Sequence, residues 1–125
     1  MGKFVIRKTN TGYNFHLKAA NGETIATGEV YKTLDACRNG VESVMKNAPA
    51  ANVEDQTVEN FEVLTHPKFE IYKDKAGEFR FRLKARNGEV IATGESYTTK
   101  ANCKNGVNSV MKNAEDAEVA EEIEE

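Results

Sequence analysis

A duplicated segment dominates this sequence of 125 residues. The phrase NGETIATGE at residues 21–29 returns as NGEVIATGE at residues 87–95. Residues 13–48 align with residues 79–114 at an offset of 66, with 24 of 36 positions identical. Repetition of this kind means that one supersecondary unit is present twice. Because a unit of about 50 residues buries too little apolar surface to be stable alone, we expect the two copies to share one core.

Each copy begins with segments in which apolar and polar residues alternate. In the first copy Phe15 and Leu17 alternate with polar neighbours, and residues 79–86 of the second copy repeat the pattern as FRFRLKAR. A period of two is typical of β-strands with one buried side. A third short strand follows in each copy. The connector between the copies contains one more predicted strand, at residues 60–65.

The dipeptide Asn-Gly indicates a hairpin in both copies, at residues 21–22 and 87–88. It favours a two-residue type I′ turn, since both residues tolerate positive φ. In that register the ring of Phe15 covers the bare backbone of Gly28. A bulged turn would instead shift the register by one residue and direct Ile25 inward. The sequence leaves both alternatives open.

An amphipathic helix follows the third strand of each copy. Apolar residues recur at spacings of three and four over residues 33–48 and again over residues 99–114, which is typical of a helix that buries one face. A threonine suited to cap the helix begins each segment. Gly40 and Gly106 lie in mid-helix, where glycine costs up to ~1 kcal/mol relative to alanine. We expect close approach to the sheet or to the partner helix to compensate.

The order strand, strand, strand, helix therefore occurs twice. We predict one domain over residues 1–114, built of repeat one at residues 3–66 and repeat two at residues 68–114, with both helices on the same face of a shared sheet. Residues 115–125, EDAEVAEEIEE, are expected to be a poorly ordered acidic tail.

The phrases KFEIYKDKAGEFRFRLKARNGEVIATGESY and NGVNSVMKNA, with their earlier copies, resemble the YegP-like family of small bacterial proteins. The resemblance covers nearly the whole chain except the acidic tail. It implies an α+β fold in which two tandem β3-αβ repeats form a single antiparallel sheet with two helices packed on one face. It also implies that the last strand of each repeat is exchanged into the other half. It implies no activity, because members of the family are uncharacterised.

Composition and motifs argue against several classes of protein. No apolar run approaches the roughly 18 residues of a membrane helix, and the start MGKFVIRK lacks a signal-peptide pattern, so we expect a cytoplasmic protein without a membrane partner. Cys37 and Cys103 occupy equivalent helix positions; we interpret them as reduced core thiols, with a bridge across the pseudo-twofold axis as the alternative. His16 and His66 have no ligand-like neighbours, and no nucleophile elbow, P-loop or dinucleotide motif occurs. We therefore expect no enzyme, no metal and no cofactor.

Charge is distributed unevenly along the chain. Residues 67–114 carry ten basic and five acidic side chains, a net charge of +5, whereas residues 115–125 carry seven acidic and no basic ones, a net charge of −7. The net charge of the whole chain is −3. Such segregation predicts a basic surface beside an acidic segment.

The polar face of the sheet is the candidate binding surface, because helices cover only the other face. Arginine pairs with phosphate and aromatic rings stack on bases. The candidate residues for contacting a polyanion are Arg7, His16, Lys18, Tyr72, Arg80, Arg82, Lys84 and Arg86. The plain alternative is a solvated antiparallel face whose charges oppose aggregation.

The sequence does not identify a ligand or partner. We predict a non-enzymatic binding or structural module that docks another protein through its open sheet face or edges. The alternative is a weak nucleic-acid or polyanion binder, with the acidic tail folded back over the basic face.

Overall fold

Each repeat contributes three strands, a helix and a final strand to one eight-stranded sheet. The computed structural model describes residues 2–123. Repeat one contains β1 (Lys3–Lys8), β2 (Tyr13–Lys18), β3 (Thr24–Thr27), α1 (Leu34–Asn47), a 3₁₀ turn (Ala48–Ala50) and β4 (Asn52–Asp55). Repeat two contains β5 (Lys68–Lys73), β6 (Phe79–Lys84), β7 (Val90–Thr93), α2 (Lys100–Glu115) and β8 (Glu118–Glu122). The predicted α+β fold of two tandem repeats is confirmed.

The strand order β4-β5-β6-β7-β3-β2-β1-β8 shows that the last strand of each repeat lies in the other half. β4 pairs with β5, and β8 pairs with β1. These two outer ladders are parallel, because the helix before each final strand carries the chain back across the sheet. The inner ladders are antiparallel, as at the junction of the repeats, where Thr27 of β3 pairs with Thr93 of β7. The sheet is thus mixed rather than antiparallel throughout.

The acidic tail forms a strand over much of its length. The sequence predicts poor order for residues 115–125, but residues 118–122 form β8. The apolar pattern of this segment is weak, but pairing with β1 supplies hydrogen-bond partners for its backbone. Opposite charges add to this, since Arg7 pairs with Glu122 at 3.3 Å and Arg38 of α1 pairs with Glu121 at 2.6 Å. Residues 124 and 125 lie outside the described part of the chain.

The connector strand also differs from the sequence prediction. It occupies Asn52–Asp55 rather than residues 60–65, because the residues directly after the 3₁₀ turn lie alongside β5 and pair with it. Residues 64 and 65 use their backbone for other bonds. The Leu64 N–H donates to Glu54 Oε1 at 2.7 Å, and the Thr65 carbonyl accepts from Asn52 Nδ2 at 2.9 Å.

Both helices pack on the same face and close one core with residues of both repeats. Thr33 Oγ1 accepts from the Ala36 N–H at 3.1 Å, and Thr99 caps α2 in the same way, which confirms the predicted caps. The buried side chains that meet between helices and sheet are Phe4, Ile6, Phe15, Leu17, Cys37, Val41, Val44, Phe69, Ile71, Phe81, Leu83, Cys103, Val107 and Val110.

The mid-helix glycines admit a tyrosine from the loop after the third strand. A Cβ on Gly40 would lie 2.4 Å from Tyr31 Oη, and one on Gly106 would lie 2.4 Å from Tyr97 Oη. The close approach predicted from the sequence is therefore real, but the Tyr31 or Tyr97 ring makes it rather than the other helix. At Gly106 the Phe81 ring of β6 also comes close, at 3.1 Å from a Cβ placed there.

The Asn-Gly hairpins contain a bulge and still keep the glycine-aromatic pairing. The Gly22 N–H donates to the Ala19 carbonyl at 2.9 Å, with φ of 86° at Gly22 and a register shift between residues 17 and 18. Phe15 remains beside Gly28, where a Cβ would meet its ring at 2.2 Å, and Ile25 is buried as well. The bulge absorbs one residue, so elements of both alternatives occur together. Repeat two has the same geometry.

Candidate functional site

The sheet face opposite the helices carries a row of side chains that crosses every strand. Strand pairing places these residues side by side, in the order Glu54, Glu70, Arg82, Thr93, Thr27, His16, Val5 and Ala120. The pseudo-twofold axis passes between Thr93 and Thr27. It divides the face into a repeat-two half-face (Asn52, Glu54, Lys68, Glu70, Tyr72, Arg80, Arg82 and Lys84) and a repeat-one half-face (Glu118, Ala120, Glu122, Lys3, Val5, Arg7, Asn14, His16 and Lys18).

A network of ion pairs occupies the repeat-two half-face. The Glu70 carboxylate accepts from Arg82 Nε at 2.6 Å and lies 3.2 Å from Lys84 Nζ and 3.3 Å from Lys68 Nζ. Lys68 Nζ also donates to Glu54 Oε1 at 2.7 Å. The side chains of Lys68, Glu54 and Glu70 are only 5%, 1% and 4% exposed. Charges buried this deeply require partners, and each of the three has at least one.

The chain's own connector covers the outer end of this network. Glu54 accepts hydrogen bonds from the Leu64 N–H at 2.7 Å and from Gln56 Nε2 at 2.6 Å, in addition to Lys68. Burial opposes ionisation of Glu54, but the hydrogen bonds from Lys68, Gln56 and Leu64 outweigh it and lower the pKa of Glu54 to about 2. Glu54 is therefore a carboxylate at neutral pH. A loop of the chain itself is thus hydrogen-bonded to this half-face through Glu54.

The remaining cations of the repeat-two half-face are also engaged. The Arg82 guanidinium lies 4.4 Å from the centre of the Tyr72 ring, a cation–π contact. Arg80 Nε donates to Asp74 Oδ2 at 2.6 Å, and this bond raises the pKa of Arg80. These side chains would have to exchange internal partners before they could bind a phosphate.

The repeat-one half-face has the same backbone but lacks the two buried carboxylates. Val5 occupies the position of Glu70, and Ala120 occupies that of Glu54. Lys3 and Lys18 lie directly opposite each other on adjacent strands, as Lys68 and Lys84 do in repeat two. Within residues 2–123 no carboxylate lies within 4.0 Å of either lysine.

His16 and Arg7 complete the repeat-one half-face. Burial, followed by the charges of Arg7 and Lys18, lowers the pKa of His16, so its imidazole is neutral at pH 7. His16 Nδ1 lies 3.3 Å from Thr27 Oγ1, within hydrogen-bonding distance. Arg7 is half exposed and is paired with Glu122.

The eight residues predicted from the sequence thus fall into three places. Arg7, His16 and Lys18 share the repeat-one half-face. Tyr72, Arg80, Arg82 and Lys84 share the repeat-two half-face. Arg86 is apart from both: it lies beyond the end of β6 and lines a cleft with Asn39, Glu42, Ser43 and Lys46 of α1. Residues 118–122 of the acidic tail form the edge strand β8 instead of folding back over the basic face.

The acidic partners Glu54 and Glu70 are not among the residues predicted from the sequence, and neither are Lys3 and Lys68. Glu70 could be found by aligning KFEIYK with FRFRLK as an antiparallel pair, which sets it opposite Arg82. Glu54 could not, because the sequence pattern favours a connector strand at residues 60–65 rather than at residues 52–55.

The described residues provide little for other chemistry. Among residues 2–123 no cluster of His, Cys, Asp or Glu side chains could hold a metal ion. Cys37 and Cys103 are buried and unbridged, as the core interpretation predicts. Burial and the charge of Asp55 raise the pKa of Cys103 to about 11. None of the helices described in this chain has the length and apolar character needed to cross a membrane.

The fold and this face define a small tandem-repeat α+β protein without a recognisable catalytic centre among its described residues. Comparison with known proteins gives its family: the family model "Domain of unknown function (DUF1508)" matches residues 9–55 and 74–121, one match per repeat, and the chain belongs to this family. The YegP-like resemblance is confirmed, because the solution structure of yegP from E. coli, a protein of unknown function, matches with a TM-score of 0.81 at 29% identity. That match covers 99% of this chain and 95% of the other.

Curated relatives occur in one-repeat and two-repeat lengths. A UPF0339 protein of Photorhabdus laumondii is 37% identical over 120 residues, covering 95% of this chain and 92% of its own. A UPF0339 protein of Treponema denticola is 68% identical over 54 residues, which is 43% of this chain but 93% of that protein. No function is assigned to the family, and none of these names denotes an enzyme.

Proposed function

We propose that the protein is a non-enzymatic binding module that docks a partner protein on the open face of its sheet. The observation that carries the proposal is the bound connector. On the repeat-two half-face, Glu54 already accepts a hydrogen bond from the Leu64 N–H of the connector. A sheet face that binds its own polypeptide in this way has the geometry to bind a second one where no segment covers it.

The chemistry of the described side chains favours binding over catalysis. The thiols are buried, and burial raises their pKa values, which disfavours the reactive thiolate. The carboxylates with lowered pKa are engaged by cations, as Glu70 is by Arg82, rather than poised near neutral pH for proton transfer. We also propose that the protein acts in the cytoplasm, where unbridged cysteines such as these are the rule.

Site-resolved crosslinking tests the docking face. A photoreactive benzoylphenylalanine replaces Asn14 on the repeat-one half-face, and the matched control carries it at Lys46 on the outer side of α1. Irradiation in cells of the source organism should give a discrete polypeptide adduct from position 14 and none from position 46. The captured polypeptide is then purified and titrated against the unmodified chain. Adducts from position 46 alone, or none from either, would contradict the proposal.

A weak polyanion binder is the second candidate, and Lys3 and Lys18 favour it because no described carboxylate pairs with them. If about four phosphates were contacted, the logarithm of the affinity for duplex DNA would fall with log salt at a slope of about −3.6. Glu122→Gln, which frees Arg7, should then strengthen binding. Fluorescence titration of a labelled duplex over a range of salt measures both quantities.

A further inference from the structure

We propose that the repeat-one half-face binds an acidic peptide segment of a partner protein, whose carboxylates take the positions that Glu54 and Glu70 occupy in repeat two. The proposal rests on the proposed function and specifies the chemistry of the partner. It derives from the comparison of two equivalent surfaces within one chain.

The two half-faces are equivalent in strand order and register. In repeat two, the pair Lys68 and Lys84 is flanked by Glu70 and completed by Glu54 on the outer strand. In repeat one, strand pairing gives the same arrangement with Lys3, Lys18, Val5 and Ala120. The lysines are retained, and both carboxylates are replaced by apolar side chains.

Replacing the two carboxylates changes the electrostatics of the lysine pair. Like charges directly opposite each other on adjacent strands repel. Glu70 removes this repulsion in repeat two, because it lies 3.3 Å from Lys68 Nζ and 3.2 Å from Lys84 Nζ. In repeat one, Lys3 and Lys18 face each other without such a bridge inside the described chain. Glu118 of β8 is the register neighbour of Lys3, but it lies on the side of Lys3 away from Lys18 and forms no ion pair with Lys3 within 4.0 Å. A carboxylate supplied from outside would bridge them in the same way.

The side chains of the repeat-one half-face favour a peptide ligand over a polyanion. The equivalent half-face is contacted by polypeptide, because Gln56 Nε2 and the Leu64 N–H of the connector both donate to Glu54. A polyanion is less well matched to the repeat-one half-face, because His16 is neutral where repeat two has Arg82, and Arg7 is already paired with Glu122. Two lysines flanking an apolar strand position suit one or two carboxylates of a peptide better than a row of phosphates.

The test uses the full chain, labelled with ¹⁵N, and a synthetic peptide with the sequence of residues 53–64, VEDQTVENFEVL, which is the chain's own example of such a segment. The matched control peptide has each Glu and Asp replaced by Gln and Asn. We expect saturable shifts of the Lys3, Val5, His16 and Lys18 amides with the acidic peptide and none with the control.

Substitutions locate the interaction. The double variant Lys3→Gln with Lys18→Gln should weaken binding of the acidic peptide by about ten-fold or more, whereas the surface control Lys46→Gln with Lys112→Gln should not change it. The inference is overturned by equal shifts with the amide peptide, by shifts located elsewhere, or by none at about 5 mM peptide. A duplex of about 20 base pairs that shifts the same amides at lower concentration also overturns it, in favour of a polyanion.

The two proposals can fail separately. An adduct from position 14 combined with no peptide binding keeps the docking face and overturns the acidic partner. Peptide binding at Lys3 and Lys18 without any cellular adduct supports the acidic recognition chemistry and counts against the proposed docking function.

Discussion

Arg82 Nε donates to Glu70 Oε1 across 2.6 Å, and the same position in the other repeat sets neutral His16 beside Val5. The two repeats therefore present different side chains at equivalent positions of the sheet face. In repeat two, every lysine and arginine of the half-face pairs with a carboxylate, and Glu54, Lys68 and Glu70 are buried. In repeat one, Arg7 pairs with Glu122, whereas among the described residues no carboxylate, including the register neighbour Glu118, lies within 4.0 Å of Lys3 or Lys18. The predictions below follow from this difference and from the packing around it.

Loss of Glu54 should destabilise the fold. Glu54→Gln removes the charge that pairs with buried Lys68 and weakens the bond from the Leu64 N–H. Removing one partner of a buried ion pair costs roughly 3 kcal/mol or more. Urea unfolding followed by circular dichroism should show this loss in the free energy of unfolding. Glu59→Gln, at an exposed position of the same connector, is the matched control and should change it little; an equal loss in both variants would contradict the prediction.

The stability contributed by Glu54 should depend on pH in the acid range. Its pKa is about 2 in the folded chain and 4.5 when unperturbed. Above pH 4.5 the contribution is fully present; it is lost as the pH falls through this range toward 2, because the unfolded chain takes up the proton first. Urea unfolding of the native chain and of Glu54→Gln at pH 7 and pH 3 measures the difference. The gap between them should narrow at pH 3, and a constant gap would show that the carboxylate is not the cause.

Gly106→Ala should destabilise the protein although alanine is the better helix former. A gain of up to ~1 kcal/mol is expected from helix propensity alone. Here the new Cβ would lie 2.4 Å from Tyr97 Oη and 3.1 Å from the Phe81 ring, so the core must shift at a cost of about 1–3 kcal/mol. Asn108→Ala, at an exposed position of the same helix, should be neutral or stabilising. Thermal unfolding of both variants decides the sign, and a stabilised Gly106→Ala would contradict the packing shown here.

The second repeat expressed alone, as residues 67–125, should not form a stable monomer. Its β5 would lack β4, and its β8 would lack β1. Two copies could satisfy both needs by exchanging β8, so we expect either an unfolded chain or a dimer. Sedimentation equilibrium and thermal melts at two concentrations, with the full chain as reference, measure this. A cooperative melt of a monomer, at a temperature that does not vary with concentration, would disprove the prediction.

Local sequence patterns predict most of the strands and both helices, whereas the strands that they do not predict form through long-range pairing. The strands around Phe15 and Phe81 and the two helices follow from periodicity, and the caps follow from Thr33 and Thr99. β8 did not stand out, since EVAEE has little apolar character and is ordered by β1 and by pairs such as Arg38–Glu121. Short alternating runs without a known partner are ambiguous, so the pattern alone favours residues 60–65 over β4.

The polar side of the sheet could be predicted, but its charge balance could not. Alternation places Arg80, Arg82 and Lys84 on one face from the sequence alone. Their neutralisation depends on the register of β5 against β6 and on Asp74 in the turn, which are tertiary facts.

The exchanged strands affect how the sequences of the two repeats can diverge. A chain the length of the Treponema denticola relative could build such a sheet only with a second, identical copy, so every substitution would appear on both sides at once. Joining the copies end to end breaks that constraint, while β4 and β8 still lock each half to the other. The two halves can therefore differ, as they do where Val5 and Ala120 stand in place of Glu70 and Glu54.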